Sequence, residues 1–436
     1  MLDKILNFFR RLIPGKIFRF FQPFYHWLLS FTAVLVYRFP SRKIFIVGVT
    51  GTKGKTSVLE IINAILEKAE YKTALVSTLR FKVARETERN ELKMTMPGRF
   101  FLQKFLRRAV REKCQYALLE MTSQGTLQSR HRFIKPDAMI FTNLAPEHLE
   151  SHGGFEKYKK AKLHIFKTLE KSNKKRKIII VNADDKNAKD FLNFDVDEKW
   201  VYGLKKDFEK KEGVNELRIT NYELRTEGSH FEIGDKKFTS RLLGEFNLYN
   251  ILAAIAFARS QAIGWDNIRS AIEKFRGIPG RVEFIEEGQD FKVVVDYAHT
   301  PDSLQKLYDV FQSSRRICVL GAAGGGRDRW KREELGKIAA ANCDDIILTN
   351  EDPYDENPKE IIGQISKGIS SPFKYKIILN RREAIAEALR IAKAGDAVLI
   401  TGKGTDPYIM GPKGTKIKWD EGEVVREELG KIKKYG

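Results

Sequence analysis

Three observations predict an α/β protein built as a central domain on a mostly parallel sheet, a smaller C-terminal α/β domain and a short helical N-terminal segment. From Lys43 onward short apolar runs alternate with amphipathic stretches, and strand-helix-strand order packs as parallel βαβ units. A glycine-rich loop joins the first apolar run to the first amphipathic stretch. The same alternation resumes after Gly277-Ile-Pro-Gly280, a punctuating run that marks a domain boundary. The expected divisions are therefore 1–43, 44–278 and 279–436.

Residues 1–43 interleave aromatics (Phe8, Phe9, Phe18, Phe20, Phe21, Phe24, Tyr25, Trp27, Phe31) with Lys4, Arg10, Arg11, Lys16 and Arg19. The uncharged stretch Phe20–Tyr37 contains Gln22, Pro23 and His26 and falls short of the roughly 20 apolar residues that span a bilayer. No small-residue cleavage site precedes Arg38, so a secretory signal is not expected. Two readings stay open: amphipathic helices lying on an anionic membrane face, or aromatics that pack on the next domain.

Continuous apolar runs place buried strands at Ile44–Val49, Thr73–Val76, Tyr116–Glu120, Ala138–Thr142 and Lys177–Val181, with helices over Thr56–Ala69 and Gly98–Glu112. Residues 200–242 alternate polar and apolar and contain Gly228 and Gly234, which reads as a small antiparallel sheet. Helices over Leu248–Ala262 and Trp265–Phe275 follow. Beyond the boundary, Lys292–Asp296, Ile317–Leu320, Asp345–Leu348 and Ala397–Ile400 read as strands of an open, Rossmann-like sheet.

The 436 residues, 42% hydrophobic and 31% charged, exclude a disordered or low-complexity chain. A net charge of +21 favours anionic partners: nucleotides, nucleic acids or acidic membranes. No base-stacking platform or helix-turn-helix signature accompanies it, so nucleic acid is not an expected partner. Cys114, Cys318 and Cys343 are far apart; neither disulfide nor zinc site is expected, and a reducing cytoplasmic location fits.

Gly48-Val-Thr-Gly-Thr-Lys-Gly-Lys-Thr-Ser57 lies between an apolar strand and an amphipathic helix, the context of a P-loop. Gly51, Thr52, Lys53 and Gly54 would wrap phosphate oxygens, Lys55 would neutralise them, and Thr56 would reach Mg²⁺ beside Ser57. Five residues rather than four separate Gly48 from Gly54. Glu120, ending an apolar strand, is placed to hold Mg²⁺. Read alone, His148 is a strand-end hydrogen-bonder, Lys162 one charge in the basic run Lys157–Arg176, and Asn247 and Asn250 helix-opening caps.

Taken together, Thr50-Gly-Thr-x-Gly-Lys-Thr56, Glu120-Met-Thr-Ser-Gln, Asn143-Leu-Ala-Pro-Glu-His148, Tyr158-Lys-Lys-Ala-Lys162, Gly244-Glu-Phe-Asn-Leu-Tyr-Asn250, Pro279-Gly-Arg281 and Asp296-Tyr-Ala-His-Thr-Pro301 occur in order. The chain resembles the Mur ligase family over about Ile44–Thr405, and within it the UDP-N-acetylmuramyl-tripeptide synthetases. The resemblance implies ATP-dependent activation of a carboxylate as an acyl phosphate and attack by an amino acid's amine, in cytoplasmic peptidoglycan precursor synthesis. It implies Glu120, His148 and Thr56 as metal ligands, and Lys162 as a carbamylated lysine holding a second Mg²⁺. Asn247 and Asn250 would lie near adenine, Arg281 at the phosphates, and Asp296 and His299 at the ribose. Thr95, Thr122, Ser123, Gln128 and Arg130 would contact a muramyl-peptide acceptor, Arg130 holding a carboxylate or phosphate.

The free amino acid would meet Arg327, Asp352, Gly402 and Asp406. There the sequence departs from the family: Glu351-Asp-Pro-Tyr354 replaces Asp-Asn-Pro-Arg, and Gly402-Lys-Gly-Thr-Asp406 replaces Gly-Lys-Gly-His-Glu. With acids gathered and an arginine lost, a lysine-like residue is as plausible as diaminopimelate. Only 43 residues precede the first strand, too few for the family's UDP-binding domain. A lipid-linked muramyl peptide, or a polyglutamate- or cyanophycin-type acceptor, therefore stays open, as does peripheral membrane contact through residues 1–43.

Overall fold

The computed structural model describes residues 15–147, 152–204, 212–225, 227–326, 329–370 and 375–435, in two compact units. His148 and Arg327 lie outside the described residues.

The first unit holds residues up to 147, 154–220 and 249–272. Its elements run α1 (Gly15–Val36), β1 (Phe45–Thr50), α2 (Lys55–Lys68), β2 (Thr73–Val76), β3 (Arg80–Val83), β4 (Glu86–Arg89), α3 (Arg99–Arg111), β5 (Tyr116–Glu120), α4 (Ser123–Leu127), β6 (Ala138–Phe141), α5 (Phe155–Glu170), β7 (Ile178–Asn182), α6 (Ala188–Leu192), β8 (Glu198–Gly203) and β9 (Val214–Arg218). The strands form one nine-stranded sheet in the order β4-β3-β2-β5-β1-β6-β7-β8-β9. β3 and β4 are antiparallel to their neighbours and the rest are parallel. β1, β5, β6 and β7 are buried almost throughout because helices cover the sheet, which is why their sequences are continuous apolar runs.

The expected antiparallel block at 200–242 divides. Val214–Arg218 adds to the large sheet in parallel with β8, whereas β10 (Asn221–Arg225), β11 (Gly228–Ile233) and β12 (Lys236–Ser240) form a three-stranded antiparallel meander in the second unit. A polar-apolar alternation is shared by an edge strand and a hairpin strand, so periodicity does not separate them. α7 (Glu245–Ser260) and α8 (Trp265–Lys274) follow.

The second unit continues with β13 (Glu283–Phe284), β14 (Lys292–Asp296), α9 (Pro301–Val310), β15 (Arg316–Leu320), α10 (Trp330–Asn342), β16 (Asp345–Leu348), α11 (Pro358–Ser366), β17 (Tyr375–Ile377), α12 (Arg381–Ile391), β18 (Ala397–Thr401), β19 (Tyr408–Met410), β20 (Lys416–Lys418) and α13 (Glu421–Tyr435). Its six-stranded sheet is ordered β13-β14-β18-β15-β16-β17, parallel except for β13. One apolar cluster, containing Leu304, Leu335 and Ile365, packs α9, α10 and α11 on the sheet. A second, containing Ile385 and Val425, packs α12 and α13.

One expectation is corrected. Cys318 in β15 and Cys343 just after α10 form a buried disulfide: the βα unit folds back and brings residues 25 apart in sequence to a Cα–Cα distance of 6.1 Å. Of the two readings left open for residues 1–43, Trp27 and Phe31 of α1 follow the packing one: they stack on each other and pack against Phe133. Phe24, Tyr25, Leu28, Leu35 and Val36 of the same helix are exposed. Among the described residues no helix is long and apolar enough to cross a membrane.

Candidate active site

The glycine-rich loop sits at the carboxyl end of β1, and Gly54 precedes the first turn of α2. Its geometry requires glycine at two places. At Gly51 (φ 150°) a Cβ would lie 1.9 Å from Thr142 Oγ1, and at Gly54 (φ 83°) it would lie 2.3 Å from Asn250 Oδ1. Asn250 therefore lies against the loop from within α7 rather than capping a helix.

Lys55 Nζ donates to the Gly51 and Thr52 carbonyls (3.2 and 2.9 Å) and stands 4.0 Å from Glu120. Register pairs Glu120 with Val49 across the β1–β5 ladder, which puts its carboxylate at the start of the loop. Glu120 Oε2 accepts from Thr56 Oγ1 (2.9 Å), from Thr78 N (2.9 Å) and from Thr78 Oγ1 (3.0 Å). Lys53 pairs with Glu147 at 2.9 Å, and the Thr52 hydroxyl bonds to Tyr158 OH. Ser57 is buried in the first turn of α2.

Lys162, on α5, is 2% exposed, donates to the Gly51 carbonyl at 2.7 Å and lies 4.7 Å from the centre of the Tyr158 ring. Burial, and then the nearby Lys55 ammonium, hold its pKa well below the ordinary lysine range. The basic run around it is therefore not uniformly solvated: Lys162 alone of the lysines in α5 is buried at the loop.

The Thr56 hydroxyl and Glu120 carboxylate are hard oxygen donors in contact, the chemistry that suits Mg²⁺. Among the described residues no group of three or more His, Cys, Asp or Glu side chains converges as a metal cluster.

The expected acceptor residues gather in the same unit. Thr95 Oγ1 bonds to Thr78 Oγ1 (2.9 Å), which links it to Glu120. Thr122 caps α4, its Oγ1 accepting from Gly125 N, and Ser123 is buried in the first turn. Arg130 donates to Gln128 Oε1 at 2.6 Å and to the Met96 carbonyl. The sequence reading missed Thr78 and Glu147. Only Glu147 carried a signal, its place one residue before His148.

In the second unit, Asp296 ends β14 and accepts from the Val282 and Ala298 amides (2.8 and 2.6 Å). Arg281 lies over the Tyr297 ring, and His299 Nδ1 bonds the Tyr297 carbonyl. Asn247 Nδ2 donates to the Leu243 carbonyl.

The acids gathered around Glu351–Glu356 and Gly402–Asp406 are mostly engaged by the protein itself. Asp352 accepts from Lys403 Nζ and Met410 N, both at 2.8 Å, with Lys403 fully buried and Asp406 at 3.4 Å on its other side. Asp355 accepts from Lys413 N and Glu356 pairs with Arg332 and Arg329. Glu351 differs: it is 5% exposed, its Oε2 is buried without a hydrogen-bond partner among the described residues, and a Cβ on Gly402 would lie 2.6 Å from it. Burial raises its pKa, Lys403 pulls against that, and Asp352 adds to it.

Residues 49–258 match the Mur ligase middle domain and residues 280–404 the Mur ligase glutamate ligase domain. The chain is 38% identical over 415 residues to the UDP-N-acetylmuramoyl-L-alanyl-D-glutamate–2,6-diaminopimelate ligase of Syntrophomonas wolfei, covering 93% of this chain and 82% of that one. Its identity to the ligase of the same name from Gloeobacter violaceus is 36%, over 92% of this chain and 80% of that one. A solved structure of a ligase of that name matches with a TM-score of 0.61 at 28% identity, over 89% of this chain and 79% of that one. The chain belongs to the Mur ligase family of ATP-dependent, ADP-forming amide ligases.

Proposed function

We propose that the chain uses ATP to convert a carboxylate of a muramoyl-dipeptide acceptor into an acyl phosphate and joins to it the α-amine of a diamino acid, releasing ADP and phosphate. The observation that carries this reading is the convergence of Lys55, Thr56, Glu120 and buried Lys162 on one glycine-rich loop. Lys55 would neutralise the transferring phosphoryl group, as phosphoryl transfer demands chiefly electrostatic stabilisation. Thr56 and Glu120, with His148, would hold Mg²⁺, which screens charge between nucleotide and acceptor. Burial and the neighbouring Lys55 favour the neutral Lys162 amine, the form that would attack CO₂ to give an N-carboxylate and release a proton; that carboxylate would help hold a second Mg²⁺.

Thr95, Thr122, Ser123, Gln128 and Arg130 would bind the acceptor, Asn247, Asn250, Arg281, Asp296 and His299 the nucleotide, and Arg327 and Gly402 the amino acid. Asp352 and Asp406, which flank Lys403, would meet the amino acid with them. Glu351 would receive the distal ammonium, which diaminopimelate and lysine both carry. On this assignment 44–278 supplies the glycine-rich loop and the acceptor residues, and 279–436 supplies Arg281, Asp296 and His299 for the nucleotide together with the amino acid residues.

ADP release should require acceptor and diamino acid together and vanish in Lys55→Ala; steady turnover with ATP alone would refute the reading. A ¹³C-bicarbonate signal of a carbamate, absent in Lys162→Arg, tests the modified lysine. Exposure of Phe24, Tyr25, Leu28, Leu35 and Val36 favours a second element, peripheral contact with an anionic membrane inside the cell and a lipid-linked acceptor. Equal recovery in the supernatant with and without anionic vesicles would exclude that contact.

A further inference from the structure

Cations around the acceptor loop are not matched by anions. Arg99, the first residue of α3, donates through Nη2 to the Gln128 carbonyl, while Arg130 Nη2 donates to the Gln128 side chain. The other partners of the two guanidinium groups are neutral: His26 Nδ1, 2.6 Å from Arg99, and the Met96 carbonyl and Met94 sulfur at Arg130. Among the described residues neither arginine has a carboxylate partner and the buried Nε of Arg99 has no hydrogen-bond partner. Both groups are half-buried. Arginine carries five donors and no acceptor, so each leaves donor capacity unused.

Two groups, Arg99 and His26, register the resulting positive potential. Burial and then Arg130 lower the pKa of Arg99, burial lowers that of Arg130, and His26 falls to about 4 through burial and then the two arginines. α3 also starts at Gly98 without a side-chain cap, which adds the positive end of its dipole. Behind this cluster α1 holds the loop: the Ser30 hydroxyl donates to the Ser129 carbonyl at 2.9 Å, and Trp27 and Phe31 pack on Phe133.

We propose that Arg99 and Arg130, with His26 behind them, form a phosphate or diphosphate site that takes the carrier end of the acceptor. A single carboxylate would leave one guanidinium uncompensated, whereas two planar forks match a polyanionic phosphoryl group. Nucleotide-linked and lipid-linked carriers both present a diphosphate, so the site reads the chemistry they share. The identification of the anion with an acceptor rests on the function proposed above.

The test begins with inorganic pyrophosphate, titrated calorimetrically into full-length protein whose P-loop is filled with a non-hydrolysable ATP analogue. Wild type should bind, Arg99→Gln and Arg130→Gln should each weaken binding about tenfold or more, and Arg99→Lys should restore part of it. The His26 imidazole should titrate at higher pH when pyrophosphate is bound, a shift that a merely structural arginine would not produce. In turnover, Arg99→Gln should raise KM for UDP-linked or polyprenyl-diphosphate-linked acceptor, whichever the enzyme uses, and leave that for carrier-free muramoyl-dipeptide unchanged. Undiminished pyrophosphate binding in Arg99→Gln, or an equal loss for the carrier-free acceptor, would overturn the site. Loss of pyrophosphate binding with no turnover of any muramoyl acceptor would leave the anion site standing and refute the acceptor reading.

Discussion

Glu351→Gln should move stability and substrate affinity in opposite directions. The Glu351 carboxylate is 5% exposed, and one oxygen has no hydrogen-bond partner among the described residues. Its raised pKa, caused first by burial, means that the ionised form costs folding free energy once pH exceeds the unfolded value. A neutral isostere relieves that cost, so the midpoint of chemical unfolding at pH 7 should hold or rise. In the complex the same substitution removes a charge-assisted hydrogen bond to the distal ammonium, worth about 1.5–3 kcal/mol, or roughly 10- to 150-fold in affinity. The assay is steady-state ADP release against amino acid concentration, with lysine or diaminopimelate compared with norleucine, which lacks the second amine. KM for the diamino acid should rise, kcat should change little, and the preference over norleucine should shrink. An unchanged preference, or equal weakening of both amino acids, would refute the assignment of Glu351 to the distal ammonium.

Three other substitutions probe the site and its supports. Lys403→Met strands the buried Asp352 carboxylate and should cost about 3–5 kcal/mol in urea unfolding; Asp352→Asn in the same chain should recover much of it. His131 is 2% exposed, both its ring nitrogens lack hydrogen-bond partners among the described residues, and burial and then His164 lower its pKa to about 3. Its neutral form is the folded one, so stability is complete above about pH 6.5 and falls with decreasing pH, by about 2 kcal/mol at pH 5. His131→Phe should flatten that dependence in pH-resolved unfolding. Gly54→Ala forces a side chain into a left-handed position costing about 1–2 kcal/mol and against Asn250, and calorimetry should show nucleotide binding lost.

The central strands were legible because both sheet faces are covered, leaving uninterrupted apolar runs such as Ile178–Val181. The edge hairpin Arg80–Arg89 was not, since β4 is fully exposed and its residues are charged or polar. The loop from Gly51 to Thr56 could be read from spacing because a strand-turn-helix imposes its glycines locally. Pairings across distance could not. Asp352 looked open in sequence because Lys403 lies 51 residues away, and the Cys318–Cys343 bond depends on where α10 returns. Arg99 carried no motif; its significance comes from Arg130 and His26 meeting it in space.

The account stands most directly on the identity of the product. Protein, ATP and Mg²⁺ should be incubated with UDP-muramoyl-L-alanyl-D-glutamate and either diaminopimelate, lysine or ornithine, and the products resolved by mass. One of the amino acids should yield an acceptor heavier by that residue, with one ADP formed per bond. ATP consumed without any such product, or an acceptor extended equally by amino acids lacking a second amine, would contradict it.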